Sequence, residues 1–246
     1  MRHRAPWARA TAVTVVHSET STMALTDVRA ITAVARAHGA LCLIDSVTGL
    51  GGVPLAFDAD GYDFVLTGSQ KALAMPPGLA FGVASEAYVR AMRDTPERGL
   101  YFDLVEFEEY AAKHQTPNTP ALTLLYAAEA QLAHIVAETM PARWARHAAM
   151  AAATHAWVAE RGAPYGLGIL APEGERSPTV TAITVPEGVS TDAIVKGVAA
   201  RGFVIGSGYG KLKARTFRIG HMGDHTVDGV VACLAAVEET LAHMHG

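Results

Sequence analysis

The stretch GSQKALAMPPG, residues 68–78, sets Lys71 just after the apolar run YDFVLT and follows it with small residues and the turn Pro76-Pro77-Gly78. Lysine is a surface residue in most proteins. Desolvated in a pocket, its amine becomes a nucleophile for carbonyl groups and a carrier of protons. Two further polar groups stand at the ends of apolar runs: Asp45 closes ALCLID, and Thr20 lies in the loop HSETST after TAVTVV. Ligands of open α/β sheets collect outside the carboxyl ends of the strands, where loops diverge. A carboxylate buried there needs a partner, because an unpaired buried charge is costly. Each residue also has a plain structural reading, Asp45 as the cap of the next turn and Lys71 as a solvated amine. No one of them defines a site alone.

The elements that must position these groups follow from periodicity. TAVTVV reads as a strand, and a helix from about Asp27 to His38 is stopped by Gly39, which tolerates the left-handed conformation. ALCLIDS, YDFVLT and LAFGVAS lack the alternation of half-exposed strands, which predicts strands covered on both faces in a mainly parallel sheet. Residues 121–139 carry apolar groups at 124, 125, 128, 132, 135 and 136, a helical spacing. Pro141 can open a second helix, which runs to about Arg161 with Trp144, Ala148, Ala151, His155 and Val158 on one stripe. The remainder reads as strand TVTAITV, helix STDAIVKGVAARG, strand FVIG, a glycine-rich loop, strand TFRIGHMG and a terminal helix from about Thr226. This predicts a small α+β unit over 140–246 behind a large α/β unit over 1–139.

Composition narrows the function classes. A chain of 246 residues holds one large domain or two small ones. Half of it is hydrophobic, 50%, yet no run approaches the roughly 18 apolar residues of a membrane span, so no transmembrane helix is expected. A net charge of −4 without a basic stripe argues against nucleic-acid binding, which rests on phosphate neutralisation. Cys42 and Cys233 sit in apolar runs and read as buried small hydrophobes, which fits a reducing, cytoplasmic setting. Eleven histidines show no metal-ligand spacing, and His243 with His245 reads as a solvated tail. His17, opening the HSETST loop, is open to a loop-structural or a ligand-proximal role. GSGYGK, 206–211, lacks the Gly-x-x-x-x-Gly-Lys-Ser/Thr pattern of a phosphate loop and reads as a mobile loop over an entrance.

The ordered set is more specific than its members. HSETST, LIDSVTGLGGVPL, DFVLTGSQKALAMPPGLAF, KHQTPNTPALTLLYA and FRIGHMG, spread over some two hundred residues, resemble the class V (fold type I) pyridoxal-phosphate aminotransferases, in particular the alanine–glyoxylate and serine–glyoxylate branch. The resemblance implies an α/β fold: the C-terminal portion of a fold type I large domain with a mainly parallel sheet, over 1–139 with the interdomain helix, plus the small C-terminal domain. It implies transfer of an amino group between alanine or serine and a 2-oxo acid such as glyoxylate or pyruvate, by a homodimer. Lys71 would be the lysine that holds the cofactor and moves the proton. Asp45 would keep the ring nitrogen charged, Thr20 would place a hydroxyl near the ring, and Gln70 would contact the phosphate. Arg218 would take the substrate carboxylate with a two-pronged bond that lysine cannot reproduce. Thr116, Asn118 and Thr119 lie where the family sends a loop toward the partner's phosphate, with Thr119 as the candidate ligand.

The resemblance also has limits. The family's front part, with its early phosphate loop and the aromatic residue on the ring, is missing, and Trp7 has no family counterpart. This predicts either a working transaminase seen as a fragment or with a misplaced start, or a truncated, inactive relative with an exposed sheet edge. Met23 stands where the family has glycine and would be strained if the turn needs a positive φ. Neither cysteine lies in a loop that would carry a desulfurase nucleophile, so a cysteine desulfurase is the weaker relative.

Overall fold

A computed structural model describes residues 10–245; Trp7 lies outside the described residues. The first sheet is built from β1 (Ala12–Val16), β2 (Leu41–Asp45), β3 (Phe64–Gly68) and β4 (Ala80–Ala84), in that spatial order. β1, β2 and β3 run parallel, and β4 returns antiparallel beside β3. The mainly parallel sheet expected from the apolar runs is therefore present, with an antiparallel edge. The crossover from β1 to β2 is α1 (Val28–Ala37), capped by Asp27, whose carboxylate accepts from the Ala30 amide, and ended by Gly39 at φ 68°.

The covering of both faces is not found. Burial alternates along β1, β2 and β3, because α1 packs on one face only. There Val28 and Ala35 meet Cys42, Ile44 and Val65 in a common core. Val16 is left 39% exposed.

Between β2 and β3 lies the short α2 (Phe57–Asp60); α3 (Glu86–Arg93) and α4 (Leu104–Ala111) follow β4. Then come α5 (Leu122–Glu138) and α6 (Met140–Trp157), joined by Thr139 at φ 69° and ψ 144°, a strained conformation for a β-branched residue. The Thr139 side chain accepts from the Ala142 amide and Pro141 sits in the first turn, so the second helix starts where its sequence predicts.

Two expected faces shift. In α5 only Ala128 and Ile135 are buried, while Leu125, Leu132 and Val136 are exposed. In α6 the buried stripe is Arg143, His147, Met150, Ala151 and Thr154, continuing to Val158. It is rotated one position from the stripe through Trp144 and Ala148, because an arginine and a histidine occupy positions that hydropathy assigns to the surface.

The second sheet is antiparallel, β5-β6-β8-β7, from β5 (Gly168–Ile169), β6 (Val180–Thr184), β7 (Gly206–Ser207) and β8 (Thr216–Gly220). The strand read at FVIG is only its last residue and the next. α7 (Thr191–Ala200) and α8 (Val227–His245) cover this sheet. Ile183, Ile194, Val198, Phe217, Ile219, Leu234, Val237 and Leu241, each at most 2% exposed, form its core with Met150 of α6. The two lobes are stitched together through Ala24, which bridges to Arg176, and through the Leu25 amide on the Glu175 carbonyl at 2.7 Å. Beside them, Ser18 Oγ donates to Ser177 Oγ at 2.9 Å and Thr179 Oγ1 donates to the Thr48 carbonyl at 2.8 Å.

Candidate active site

The parallel register places the ends of β1, β2 and β3 on one edge: Val16 pairs with Asp45, and Asp45 with Leu66. Asp45 is exposed at this edge, and its Oδ1 accepts from the Val47 amide at 3.0 Å. Its capping role is thus real and, among the described residues, leaves the second oxygen free of hydrogen bonds. Behind it, His17 donates its backbone N–H to the Asp45 carbonyl at 2.8 Å and brings Nδ1 within 2.9 Å of Ser46 Oγ. His17 and Ser46 are both buried. Burial pushes the His17 pKa down and favours the neutral ring. A Cβ at Gly49 would lie 2.8 Å from His17 Nδ1 and 2.9 Å from Ser46 Oγ, so this packing requires glycine.

The turn after β3 is held by Ser69, a residue that its sequence context does not single out. Ser69 Oγ donates to the Pro76 carbonyl at 2.7 Å and accepts from the Leu79 amide at 3.3 Å, while the Met75 amide donates to the Ser69 carbonyl at 3.1 Å. Inside this loop the Ala74 amide donates to the Lys71 carbonyl at 2.9 Å, and Ala74 sits at φ 56°. Such a left-handed alanine costs on the order of 1–2 kcal/mol. Lys71 is half-buried, and among the described residues its amine has no hydrogen-bond or ion-pair partner. Gln70 is exposed and folds back over Gly68, with Oε1 2.9 Å from where a Cβ would stand.

Across the seam, Arg218 on β8 donates Nε to the Ser207 carbonyl at 2.8 Å and Nη1 to the Thr20 carbonyl at 3.2 Å. The Thr20 hydroxyl meets the Thr48 hydroxyl at 3.1 Å. Tyr209, in the glycine-rich loop, lies with its ring 6.0 Å from the guanidinium carbon. Thr20 and Lys71, in loops, and Asp45, at the end of β2, thus lie at the carboxyl ends of the first sheet's strands, and Arg218 reaches the Thr20 loop from β8. Thr116, Asn118 and Thr119 are exposed on the segment between α4 and α5, where Thr116 Oγ1 donates to the Asn118 carbonyl at 2.7 Å. None of these three hydrogen-bonds to Thr20, Asp45, Lys71 or Arg218.

Beside the site lies a polar cluster that sequence reasoning missed. Arg143, 1% exposed, donates Nη1 to Glu138 Oε2 at 2.6 Å and Nη2 to the Ala72 carbonyl at 2.6 Å and Asp224 Oδ1 at 3.0 Å. Arg146 donates Nε to Glu138 Oε1 at 2.7 Å and Nη1 to the Gly223 carbonyl at 2.9 Å. The Arg146 and Arg143 bonds hold the Glu138 carboxyl below its ordinary pKa. His147 donates Nδ1–H to the Arg143 carbonyl at 2.7 Å and accepts the Gly223 amide at Nε2, 3.0 Å. Burial lowers its pKa, so it is present as the neutral ring that this pair of bonds requires. The available signal was an Arg and a His four residues apart, flanking the apolar stripe.

A mainly parallel α/β sheet beside a small antiparallel lobe is the layout of a fold type I transferase. Residues 6–216 match the Aminotransferase class-V family. The chain belongs to that family, whose members are pyridoxal-phosphate enzymes. It is 38% identical over 237 residues to an aminotransferase of Methanocaldococcus jannaschii, covering 95% of this chain and 60% of that protein. It is 33% identical to the serine–glyoxylate aminotransferase of Methylorubrum extorquens, over 94% of this chain and 58% of the other. The crystal structure of pyridoxamine–pyruvate aminotransferase from Mesorhizobium loti superposes with a TM-score of 0.89 at 30% identity, over 96% of this chain and 61% of that one. The chain thus spans about 60% of the length of the relatives it matches. A NifS-like protein shares the fold at a TM-score of 0.71 and 14% identity.

Proposed function

We propose that this chain carries the lysine, carboxylate and arginine of a pyridoxal-phosphate transaminase that moves an amino group between a small amino acid, alanine or serine, and a 2-oxo acid such as glyoxylate or pyruvate. The observation that carries this reading is the half-buried Lys71, whose amine has no partner among the described residues. It lies just past Ser69 and Gln70 after β3, beside the strand that ends in Asp45. The donor set fits the cofactor: an amine, a carboxylate with one uncommitted oxygen, an exposed amide on Gln70 and the Thr20 hydroxyl, all on one edge. When bound, pyridoxal phosphate supplies an electron sink for the substrate carbanion.

Lys71 Nζ would hold the cofactor and carry the α-proton. Asp45 would keep the pyridine nitrogen charged. Gln70 would serve the phosphate, and Thr20 would offer its hydroxyl to the ring. Arg218 is pinned by Ser207 and Thr20 through Nε and Nη1, so Nη2 and the second Nη1 hydrogen are presented to the substrate carboxylate as a fork. The 1–139 and 140–246 lobes are read as the cofactor-binding and small domains, meeting at Thr139. The working form is read as a homodimer, with Thr116, Asn118 and Thr119 directed to the partner's phosphate, and Thr119 as its ligand. A reducing, cytoplasmic setting is part of the reading, supported by two free cysteines.

The test is the absorption spectrum with pyridoxal phosphate. A visible band is expected that is lost completely in Lys71→Ala. A protein without such a band favours the second reading, a relative that no longer catalyses. A desulfurase is disfavoured: Cys42 is fully buried beneath α1, accepting the Thr32 hydroxyl at 3.2 Å, and Cys233 lies within α8.

A further inference from the structure

Three loops carry the groups to which the transaminase reading assigns chemistry, and all three meet one face of α6. The loop after Asp45 arrives through glycines. A Cβ at Gly51 would lie 3.3 Å from Ala72 Cβ, and one at Gly52 would lie 2.9 Å from His147 Cδ2. The turn after Lys71 arrives through Ala72, fully buried, whose carbonyl accepts Arg143 Nη2 at 2.6 Å. The loop after Arg218 arrives through Gly223, bonded to His147 Nε2, and through Asp224, bonded to the same Arg143 Nη2 at 3.0 Å. A Cβ on Gly223 would stand 3.1 Å from Ala74 Cβ and 3.6 Å from the Lys71 carbonyl, so this loop presses directly on the strained part of the turn.

We propose that Arg143 is a positioning residue: its guanidinium ties the Lys71 turn to the loop behind Arg218 and holds Ala74 in its left-handed conformation. The site's register rests on the transaminase reading for its meaning; the brace itself does not. One nitrogen serves both loops, and Nη1 is fixed by Glu138, which Arg146 holds from its other oxygen. The planar fork is thereby set in one orientation. A lysine at this position has one ammonium for acceptors lying in three directions and cannot span them. Glu138 also adjoins Thr139, so the anchor of the fork lies at the joint between α5 and α6.

The experiment compares wild type, Arg143→Lys and Arg143→Met by hydrogen–deuterium exchange of the turn amides, without added cofactor, and by the absorption spectrum with pyridoxal phosphate. The Ala74 and Met75 amides, bonded inside the turn, are expected to exchange roughly tenfold faster in Arg143→Met, the scale set by one lost charge-assisted bond. The α7 and β6 amides should keep their wild-type rates. The Lys71-dependent band should form more slowly and at a shifted wavelength in both variants. If Arg143→Met does not fold, Asp224→Asn, which removes one charged acceptor and keeps its shape, takes its place. Unchanged turn exchange in a folded variant overturns the proposal, as does an equal acceleration in α7 and β6, which marks a general structural role. A wild type without the band, but with Arg143-dependent exchange of the turn, sinks the transaminase reading and leaves the brace standing.

Discussion

His221 shows how a buried titratable side chain is fixed by its partners. It is fully buried, with Nδ1 2.9 Å from the Pro178 carbonyl and Nε2 2.8 Å from Thr181 Oγ1. A carbonyl only accepts, so the proton is on Nδ1 and Nε2 accepts the threonine hydrogen. Thr181 has then no hydrogen left for His155, whose Nε2–H donates to it at 3.1 Å. Burial lowers the His221 pKa to about 4, and lowers those of His17, His147 and His155 in the same direction. Above the ordinary value of about 6.5 neither folded nor unfolded chain protonates these rings. Between there and pH 4 the unfolded chain takes up a proton that folded His221 refuses, so stability falls with acidity. His221 alone accounts for ~3 kcal/mol of that loss, at about 1.4 kcal/mol per pH unit. Denaturant unfolding of wild type and His221→Gln between pH 6.5 and 4 should show a shallower slope in the variant; equal slopes would refute the assignment. Glu138, held down by its arginines, weakens the fold only at lower pH. Polar groups on a core face are what the sequence conceals: Asp45 and Lys71 drew attention by their place after apolar runs and Arg218 by the resemblance of FRIGHMG, whereas Arg143 and His147 sit on the buried face of α6 at positions that hydropathy assigns to the surface.

At the scale of elements, the loop after β1 carries the expected strain. Met23 stands at φ 61° and is 2% exposed, packed with Val180, Ala182, Leu170 and Met222. Its partners all belong to the second lobe, so the turn accepts strain in exchange for an apolar contact across the seam. Met23→Gly would relieve about 1–2 kcal/mol of strain while losing a buried side chain worth roughly 2–5 kcal/mol. A net loss of ~1–3 kcal/mol is expected from denaturant titration, and a more stable glycine variant would show that strain dominates. The existence of α1, α5, α6, α7 and α8 was legible from period and caps. Which side of α5 is inward was not, because apolar residues lie around much of its circumference, and neighbours rather than pattern choose the face. The eight-residue α3 and α4 went unread, and β7 is shifted from the strand read at FVIG to Gly206–Ser207.

For the whole molecule, the open apolar surface has a direction. Leu122, Leu125 and Tyr126 are 55%, 42% and 68% exposed at the start of α5, directly after the Thr116–Thr119 segment. Such a patch marks an interaction surface, and its continuity with that segment supports the homodimer reading. Leu122→Glu with Leu125→Glu should shift the sedimentation profile from dimer toward monomer by tenfold or more in dissociation constant, at roughly 1.4 kcal/mol per decade. A wild type that is monomeric at micromolar concentration ends that reading.

The seam between the lobes has a further property that follows from counting protons. Thr48 offers a carbonyl, which forces Thr179 to donate. Ser177, 2.9 Å from Thr179 Oγ1, must then donate to it, and Ser18 must donate to Ser177. The relay has one polarity, fixed at its far end by a group that cannot rotate its role. A shift of one residue between the lobes would part Ser18 from Ser177 and Thr179 from the Thr48 carbonyl, leaving buried hydroxyls without these partners. The hydroxyls thus favour the observed alignment, in which each of these buried groups is matched.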